Sequence, residues 1–324
     1  MKKTLVALAV MVAAGSANAA IELYNKDGVT VNMKGDIEVR YKKAIGDNDT
    51  NELKQEIDDA DFGFDTRYAM DDATQVGFYY EFSGADNAKL GQTGTFKVGN
   101  VYVGFYNDQF GSLKVGKLDT QLDDAGIGSD HLFGVNTFVD EIGFGGHEGM
   151  RYDYDNGALY LGLGVLQDKA GTGSFGTDGN HIDFKLGYRV ADFNLTAFLG
   201  QSKVDGNDKD GNAKAEETAK TGAFEATYSG IQNVNLQAAY YMVKKEEADT
   251  DGSSIALAGD YTMNKWKFAT GVSFTDTHAN EDVTQWFLNA GYTIAPSTTA
   301  YVEIGDNNED GKDLGYGVGI KAVF

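Results

Sequence analysis

Carboxylate side chains dominate one unusual segment, residues 119–146. Six of them occur with no Lys or Arg among them: Asp119, Asp123, Asp124, Asp130, Asp140 and Glu141. The segment lacks the alternation of apolar and polar residues found on both sides, so it is predicted to be a long loop, and long loops inside compact proteins are usually functional. Carboxylates at this density attract cations, which makes the segment a candidate for selecting ions. An ordinary surface excursion is the alternative.

Other reactive side chains give no indication of catalysis. The four histidines are scattered without metal-ligand spacing: His131, His147, His181 and His278. The sequence has no cysteine and no nucleophile motif. Residues 306–311 begin like a calcium loop, but position twelve of that pattern is Gly317 instead of the bidentate Glu. We therefore predict no enzyme activity, no cofactor and no metal centre.

Period-two alternation predicts the elements that must position the carboxylate segment. With 42 Gly, 18 Tyr, 19 Phe and a single Pro, the composition favours aromatic strands joined by tight turns. Five predicted strands precede the segment and eleven follow it. They cover residues 29–41, 59–70, 74–85, 96–107, 112–118, 149–155, 159–167, 181–190, 194–204, 223–228, 234–243, 254–262, 266–275, 284–294, 298–305 and 314–324.

The links between these strands alternate in length. Links near residues 71, 108, 156, 191, 230, 264 and 295 are tight, whereas those near 42, 86, 119, 169, 205, 245, 277 and 306 are mostly longer and rich in Asp and Gly. An even number of antiparallel strands with short turns on one rim and long loops on the other is typical of outer-membrane barrels. The sequence therefore predicts an all-β, 16-stranded antiparallel transmembrane β-barrel, whose closure leaves no free sheet edge.

The first nineteen residues have the pattern of a secretory signal peptide. A basic start at Lys2 and Lys3 precedes an apolar run that is too short to span a bilayer, and residues 17–19 form a small-residue cleavage box. We predict a signal peptide at 1–19 and a single barrel domain at 20–324. The full chain has a formal charge of -22, and losing both lysines makes it about -24. Such an acidic chain argues against a nucleic-acid partner.

The last predicted strand indicates which face points outward. Leu314, Tyr316 and the apolar residues that follow at every second position share one face, while three glycines and Lys321 share the other. If the polar face points into the barrel, its glycines and its charges of both signs require an interior filled with water. The apolar face is therefore predicted to contact lipid.

Several segments resemble the general diffusion porins of Gram-negative outer membranes. Residues 20–28 (AIELYNKDG) are similar to the start of the mature porins, and residues 111–118 (GSLKVGKL) to their fifth strand. Residues 130–136 and 150–153 resemble the third loop and the sixth strand. A final strand with Tyr316 that stops on Phe324 looks like the assembly signal of this class. The resemblance covers the whole mature chain and extends to the porin-like proteins of marine vibrio relatives.

The resemblance implies a homotrimer of barrels, each with its third loop folded inward to form a constriction. In such a pore, rings of charged side chains at the narrowest point select ions. The six loop carboxylates are the candidates on the loop, and the wall candidates are Asp36, Glu38, Arg40, Asp61, Lys117 and Arg151. Lys117 shares parity with outward residues, so it reaches the lumen only if the register breaks at Gly116. The Pro-Glu that precedes Phe144 in enterobacterial porins is absent.

These observations predict an outer-membrane porin, a water-filled and weakly cation-selective channel for passive diffusion of ions and small hydrophilic solutes. Its expected partners are outer-membrane lipid, lipopolysaccharide and two further copies of itself. A structural or adhesive barrel that binds surface partners through its acidic loops is the alternative. Conductance in planar bilayers distinguishes the two.

Overall fold

The alternating segments form sixteen long antiparallel strands. The computed structural model describes residues 20–47, 52–84, 88–89, 97–277 and 282–324. The predicted signal peptide and His278 lie outside the described residues. The strands are β1 (Val29–Lys43), β2 (Lys54–Ala69), β3 (Thr74–Ser83), β4 (Lys97–Asn107), β5 (Gly111–Asp119), β6 (Gly145–Asp155), β7 (Leu159–Gln167), β8 (Asn180–Val190), β9 (Phe193–Val204), β10 (Glu217–Ile231), β11 (Val234–Lys245), β12 (Thr250–Met263), β13 (Trp266–Asp276), β14 (Val283–Ala295), β15 (Thr298–Asn307) and β16 (Gly315–Val323).

Strand pairing closes the sheet on itself. Each strand pairs antiparallel with the next along the chain, from β1 to β16. The last strand then pairs with the first, with Asp36 opposite Val323 and Lys43 opposite Tyr316. Closure satisfies the backbone groups of every strand, as a membrane requires. The predicted 16-stranded antiparallel barrel is confirmed.

Outside the ring lie the strand Ile21–Lys26 and three two-residue strands, Gly46–Asp47, Ala88–Lys89 and Lys312–Asp313. The alternation pattern does not predict Ile21–Lys26. It pairs with residues 29–33 of β1, along the same edge that β16 occupies from Asp36 onward. Between the two, Gly35 and Phe324 exchange backbone hydrogen bonds of 2.6 and 2.8 Å. The extra strand therefore supplies partners for the part of β1 that β16 does not reach.

Some strands extend beyond the predicted ends. The strand predicted at 223–228 runs from Glu217 to Ile231, and the one predicted at 149–155 begins at Gly145. Residues 217–222 are mostly polar or small and show no alternation. They are nonetheless held in the sheet because Val204 pairs with Glu217 and Thr218 with Lys203 on the neighbouring strand. Backbone pairing, which the sequence pattern does not reveal, sets these ends.

Apolar side chains cover the outside of the barrel and polar ones its inside. On β11, Leu236, Tyr240 and Met242 are each more than 40 % exposed, whereas the intervening Tyr241 is completely buried. The same alternation of exposed apolar residues recurs on the other strands. This is the reverse of a water-soluble barrel and agrees with the predicted orientation.

Residues 120–144, between β5 and β6, contain the only helical turns in the part of the chain that the structure describes. They are two 3-10 turns, Gln121–Asp124 and Val139–Glu141. No helix among the described residues is long and apolar enough to cross a membrane.

Candidate functional site

Residues 120–144 follow the inner face of the barrel wall out and back. The outgoing limb, residues 120–133, donates backbone N–H groups to side chains of successive strands. Leu122 donates to Asp183 of β8 at 2.8 Å, Gly126 to Glu225 of β10 at 2.6 Å, and Gly128 to Gln237 of β11 at 3.1 Å. Because these acceptors lie on the face opposite the exposed apolar side chains, the limb lies against the inside of the wall.

The return limb, residues 134–144, is bound by wall residues that lie nearer to the rim with the long links. Gln285 donates its side-chain amide to the carbonyl of Gly134 at 3.1 Å, and Asn136 donates its N–H to the Ser273 hydroxyl at 3.1 Å. The limb ends where Thr120 donates both its N–H and its hydroxyl to the carbonyl of Phe144, each at 2.8 Å. The segment is thus a closed excursion tied at its base.

An apolar cluster fixes the loop to the β9–β12 part of the wall. Its loop members are Leu122, Ile127, Phe138, Val139 and Ile142, all at most 6 % exposed. Its wall members are Phe198, Ala219, Ala223, Ala239, Tyr241, Val243 and Ala256. Burying a large apolar side chain is worth about 1.5–3 kcal/mol, so five such side chains make a firm attachment. Asp123, Asp124 and Asp130 are exposed and do not belong to this cluster.

One buried carboxylate accepts the backbone N–H groups at the tip of the loop. Glu303 of β15, 1 % exposed, accepts the backbone N–H groups of three consecutive loop residues, His131, Leu132 and Phe133, at 2.6, 3.0 and 2.8 Å. Asn289 donates to the same carboxylate at 2.9 Å. Four donors around one carboxylate make the charge acceptable in a buried site. Burial lowers the pKa of His131, whose neutral ring stacks on Tyr301.

The start of the loop rests on a buried chain of polar groups. His181 of β8 contacts the hydroxyl of Ser202 at 2.8 Å and the carboxylate of Asp183 at 3.2 Å. The same carboxylate accepts the N–H of Leu122. The residue types match a hydrolase triad, but Ser202 is 4 % exposed and also contacts the carbonyl of Gly143 at 3.4 Å. These groups bind both limbs of the loop to the wall.

Asp124 is the predicted loop carboxylate that the structure joins most directly to the wall. It accepts a hydrogen bond from Arg151 of β6 at 2.6 Å and forms a second ion pair with Lys185 of β8. Arg151 also contacts Asp153 at 3.1 Å and donates to the carbonyl of Thr120 at 2.7 Å. Much of the charge of Asp124 is therefore neutralised locally.

The other predicted loop carboxylates have separate surroundings. Asp123 is exposed to the lumen, but the protein that encloses it reduces its hydration. This loss of hydration, reinforced by the Asp119 and Asp124 carboxylates, raises the pKa of Asp123 to about 6. Reduced hydration also raises the pKa of Asp130. Asp119 accepts a hydrogen bond from the Asn100 amide at 2.8 Å, and Glu141 pairs with Lys245. Asp140 lies in the second 3-10 turn.

The predicted wall residues of β1 and β2 form a second charged group, remote in sequence from the first. Lys321 of β16 contacts Asp36 at 2.7 Å and Glu38 at 3.4 Å. Arg40 contacts Glu56 at 3.2 Å and also pairs with Asp58. Asp61 accepts the N–H of Gly84 at 2.9 Å. This wall carries both signs of charge.

Lys117 is expected to reach the lumen only if the strand register breaks at Gly116, and it lies beside such a break. Pairing of β5 with β6 shifts between Gly116 and Leu118. The Lys117 ammonium donates to the backbone carbonyl of Val98. It lines a cavity of about 430 Å³ together with Glu81, Asn100 and Asp119, between the end of the loop and the wall. Its placement differs from that of Arg151, which contacts the loop carboxylate directly.

The predicted site residues did not include several cations of the inner wall, among them Arg67, Lys114, Lys185 and Arg189. Lys185 binds Asp124, and Lys114 contacts Asp153 at 3.5 Å. With Arg151 they form a basic arc along β2 to β8. Alternation along the strands places each of them on the polar face, so the sequence was sufficient to predict that they face the lumen. What the sequence does not indicate is that the loop passes beside them.

Between the loop and the short-turn rim the lumen opens into a polar cavity of about 1120 Å³. Charged residues of both signs line it, including Arg67, Asp124, Lys185, Arg189 and Glu225. Among the residues that the structure describes, no cluster of three or more His, Asp or Glu side chains is arranged to hold a metal ion.

The predicted assembly residues both lie at the barrel seam. Tyr316 of β16 is 42 % exposed on the outer face, and Phe324 pairs with Gly35 through the backbone. Their role in assembly stays a prediction.

A closed barrel with an apolar exterior, a charged interior and a loop along its inner wall defines the class of β-barrel pore proteins. A model of the family described as Gram-negative porin matches residues 4–312, and the chain belongs to that family. A relative named porin-like protein H, from Photobacterium profundum, is 32% identical over the full length of both chains. Outer membrane protein U of Vibrio parahaemolyticus is 26% identical, covering 97% of this chain and 92% of the relative.

The fold also matches a solved structure. OmpT, an outer membrane protein of Vibrio cholerae in a trimer form, superposes with a TM-score of 0.74 at 18% identity, covering 92% of this chain and all of the other. Family and relatives agree with the predicted location in the outer membrane.

Proposed function

We propose that this porin is a passive, non-enzymatic channel for ions and small hydrophilic solutes, weakly selective for cations and narrowed by residues 120–144. The observation that carries the proposal is the two-sided character of the loop. Its apolar side chains pack on the β9–β12 wall, while Asp123, Asp124 and Asp130 are exposed. Carboxylates in that position act on passing ions within the screening length of about 8 Å at physiological salt.

The basic arc opposes this selectivity and makes it weak. Arg151 and Lys185 neutralise part of the charge of Asp124. Asp123 and Asp130, together with the carboxylates on β1 and β2, then leave an excess of negative charge. A difference of about 1.4 kcal/mol between cation and anion corresponds to about tenfold selectivity, and the partial cancellation predicts less than that.

Measurement of the reversal potential in a salt gradient tests the proposal. The wild type should show a potential of cation-selective sign that decreases at high salt. Changing Asp123, Asp124 and Asp130 together to Asn should shift selectivity toward anions, because the loop loses three charges while the basic arc remains. The matched control changes three exposed carboxylates of the long links, Asp210, Asp249 and Asp310, to Asn, and should shift it much less. An anion-selective wild type contradicts the proposal.

We also propose that three copies associate side by side in the outer membrane, surrounded by lipid and by lipopolysaccharide. One support is the trimer form of the similar Vibrio cholerae protein. A second is an apolar groove of about 660 Å³ on the outer face of β2 to β5, a surface suited to packing against another barrel. Its lining includes Val31 on the adjoining β1 and, on β2 to β5, Phe64, Phe78, Tyr80, Phe82, Val101, Val103 and Val115.

A further inference from the structure

Two tyrosines of the inner wall lie flat on glycines. The ring of Tyr106 covers Gly104, where a Cβ atom would come within 2.4 Å of the tyrosine hydroxyl. The ring of Tyr160 covers Gly187, where a Cβ atom would come within 1.8 Å of the ring. Any larger residue at either glycine would displace the ring. The wall face of each tyrosine is therefore closed, and only the opposite face is available.

An arginine occupies that opposite face in both cases. The guanidinium carbon of Arg67 is 3.9 Å from the centroid of the Tyr106 ring, and that of Arg189 is 4.3 Å from the Tyr160 ring. An aspartate completes each arrangement. Asp65 accepts two hydrogen bonds of 3.0 Å from Arg67, and Arg189 contacts both carboxylate oxygens of Asp155 at 2.9 Å.

The two stacks share a place in the barrel. Arg67 is two residues from the end of β2 and Arg189 one residue from the end of β8, both at the short-turn rim. All four side chains line the 1120 Å³ cavity beneath the loop. A third inner-wall tyrosine, Tyr301, has the same arrangement with the His131 ring of the loop tip, at 4.1 Å between centroids. Stacking on a wall tyrosine is thus a repeated means of fixing a group in this lumen.

Stacking on a tyrosine ring restricts the movement of an arginine side chain in the lumen. A free arginine side chain samples many rotamers, and holding it in one of them costs entropy. A guanidinium over an aromatic ring is attracted to the face of the ring, more strongly when it is desolvated, and this attraction offsets part of that cost. Together with the aspartate, the ring keeps the long side chain along the wall. Without it, the positive charge would reach into the path of the ions.

We propose that Tyr106 and Tyr160 are positioning residues that hold Arg67 and Arg189 flat against the wall and so set ion selectivity and open cross-section at the short-turn mouth. The inference rests on the proposed channel function and extends it to residues outside the loop. The Tyr160 hydroxyl is bound to the wall through Asn194 at 2.9 Å and through Thr196. The stack on the arginine, however, uses the ring of each tyrosine and not its hydroxyl. The effect of the tyrosine also requires the arginine, because the tyrosine influences ions only through the position of the arginine charge.

The test is a set of bilayer measurements on the full-length protein. Tyr106→Leu and Tyr160→Leu should lower the cation-to-anion permeability ratio, by roughly twofold, and increase current noise, because a freed arginine enters the path. Tyr106→Phe and Tyr160→Phe should match the wild type. Gly104→Ala should reproduce Tyr106→Leu, because its Cβ displaces the ring. In an Arg67→Gln background, Tyr106→Leu should cause no further shift.

Tyr228→Leu is the matched control, because Tyr228 covers Gly230 in the same way but packs beside Phe193 on the outer face. It should leave selectivity unchanged. The proposal is overturned if the Phe variants behave like the Leu variants, or if Tyr106→Leu still changes selectivity without Arg67. Failure of the wild type to conduct would instead refute the channel function, so the two failures are distinguishable.

Discussion

Asp123 combines an exposed position on the loop with a pKa of about 6, and the charge of the lumen should therefore depend on pH. An ordinary Asp titrates near 3.9. Because the pKa is raised, Asp123 is charged above about pH 6 and gains its proton as the pH falls through that value. Cation selectivity should decrease between about pH 7 and about pH 5, as measured by reversal potential. Asp123→Asn should flatten this part of the profile, whereas Asp310→Asn, an exposed substitution in the last long link, should leave it unchanged.

Single residues also show where sequence reasoning stops. Parity along β6 is enough to predict that Arg151 faces the lumen, and its contact with Asp124 agrees with that expectation. The second partner of Asp124, Lys185, lies on β8, two strands further along the chain than Arg151. Only the course of the loop brings these groups together. That course depends on the fit of loop side chains into the wall, a property of three-dimensional packing.

At the scale of elements, attachment of the loop tip to Glu303 should decide whether the loop stays along the wall. Glu303→Leu removes the acceptor of three loop N–H groups, and each unsatisfied buried donor costs about 1–3 kcal/mol. We expect faster proteolysis within residues 120–144 and noisier single-channel currents, with the barrel intact. Glu303→Gln keeps one oxygen acceptor and should be intermediate. Glu309→Gln, an exposed substitution in the last long link, should have no effect.

The strands were more predictable than the loop. Alternation is strong wherever one face contacts lipid, as in β7, whose predicted bounds of 159–167 match the structure. It is absent in residues 217–222, which are held in the sheet by backbone pairing, and it does not predict Ile21–Lys26. The apolar residues of the loop, such as Leu122 and Ile142, have no period, because they fit alanine- and glycine-rich places on a curved wall.

At the scale of the whole molecule, the outer groove on β2 to β5 predicts how the barrels associate. The mature protein should migrate in mild detergent gels as a trimer that dissociates on heating. Replacing Phe78 and Val103, both exposed on the outer face, together with Gln should weaken the trimer because it makes the contact surface polar. The equivalent change of Leu236 and Ile255, on the far side of the barrel, should not. A wild type that runs only as an unheated monomer would refute this arrangement.

Because the chain has no cysteine, a single introduced thiol can test directly whether residues 120–144 narrow a water-filled, cation-selective path. A single thiol introduced as Asp123→Cys can be modified selectively with charged methanethiosulfonate reagents during a bilayer recording. If the loop narrows a water-filled path, either reagent should lower the conductance. The negative reagent should restore cation selectivity and the positive one should shift it toward anions. Leu236→Cys, on the outer face, should show neither effect. Mass spectrometry should verify that Asp123→Cys is completely modified. If conductance and reversal potential are then unchanged, the loop does not narrow the ion path at this residue.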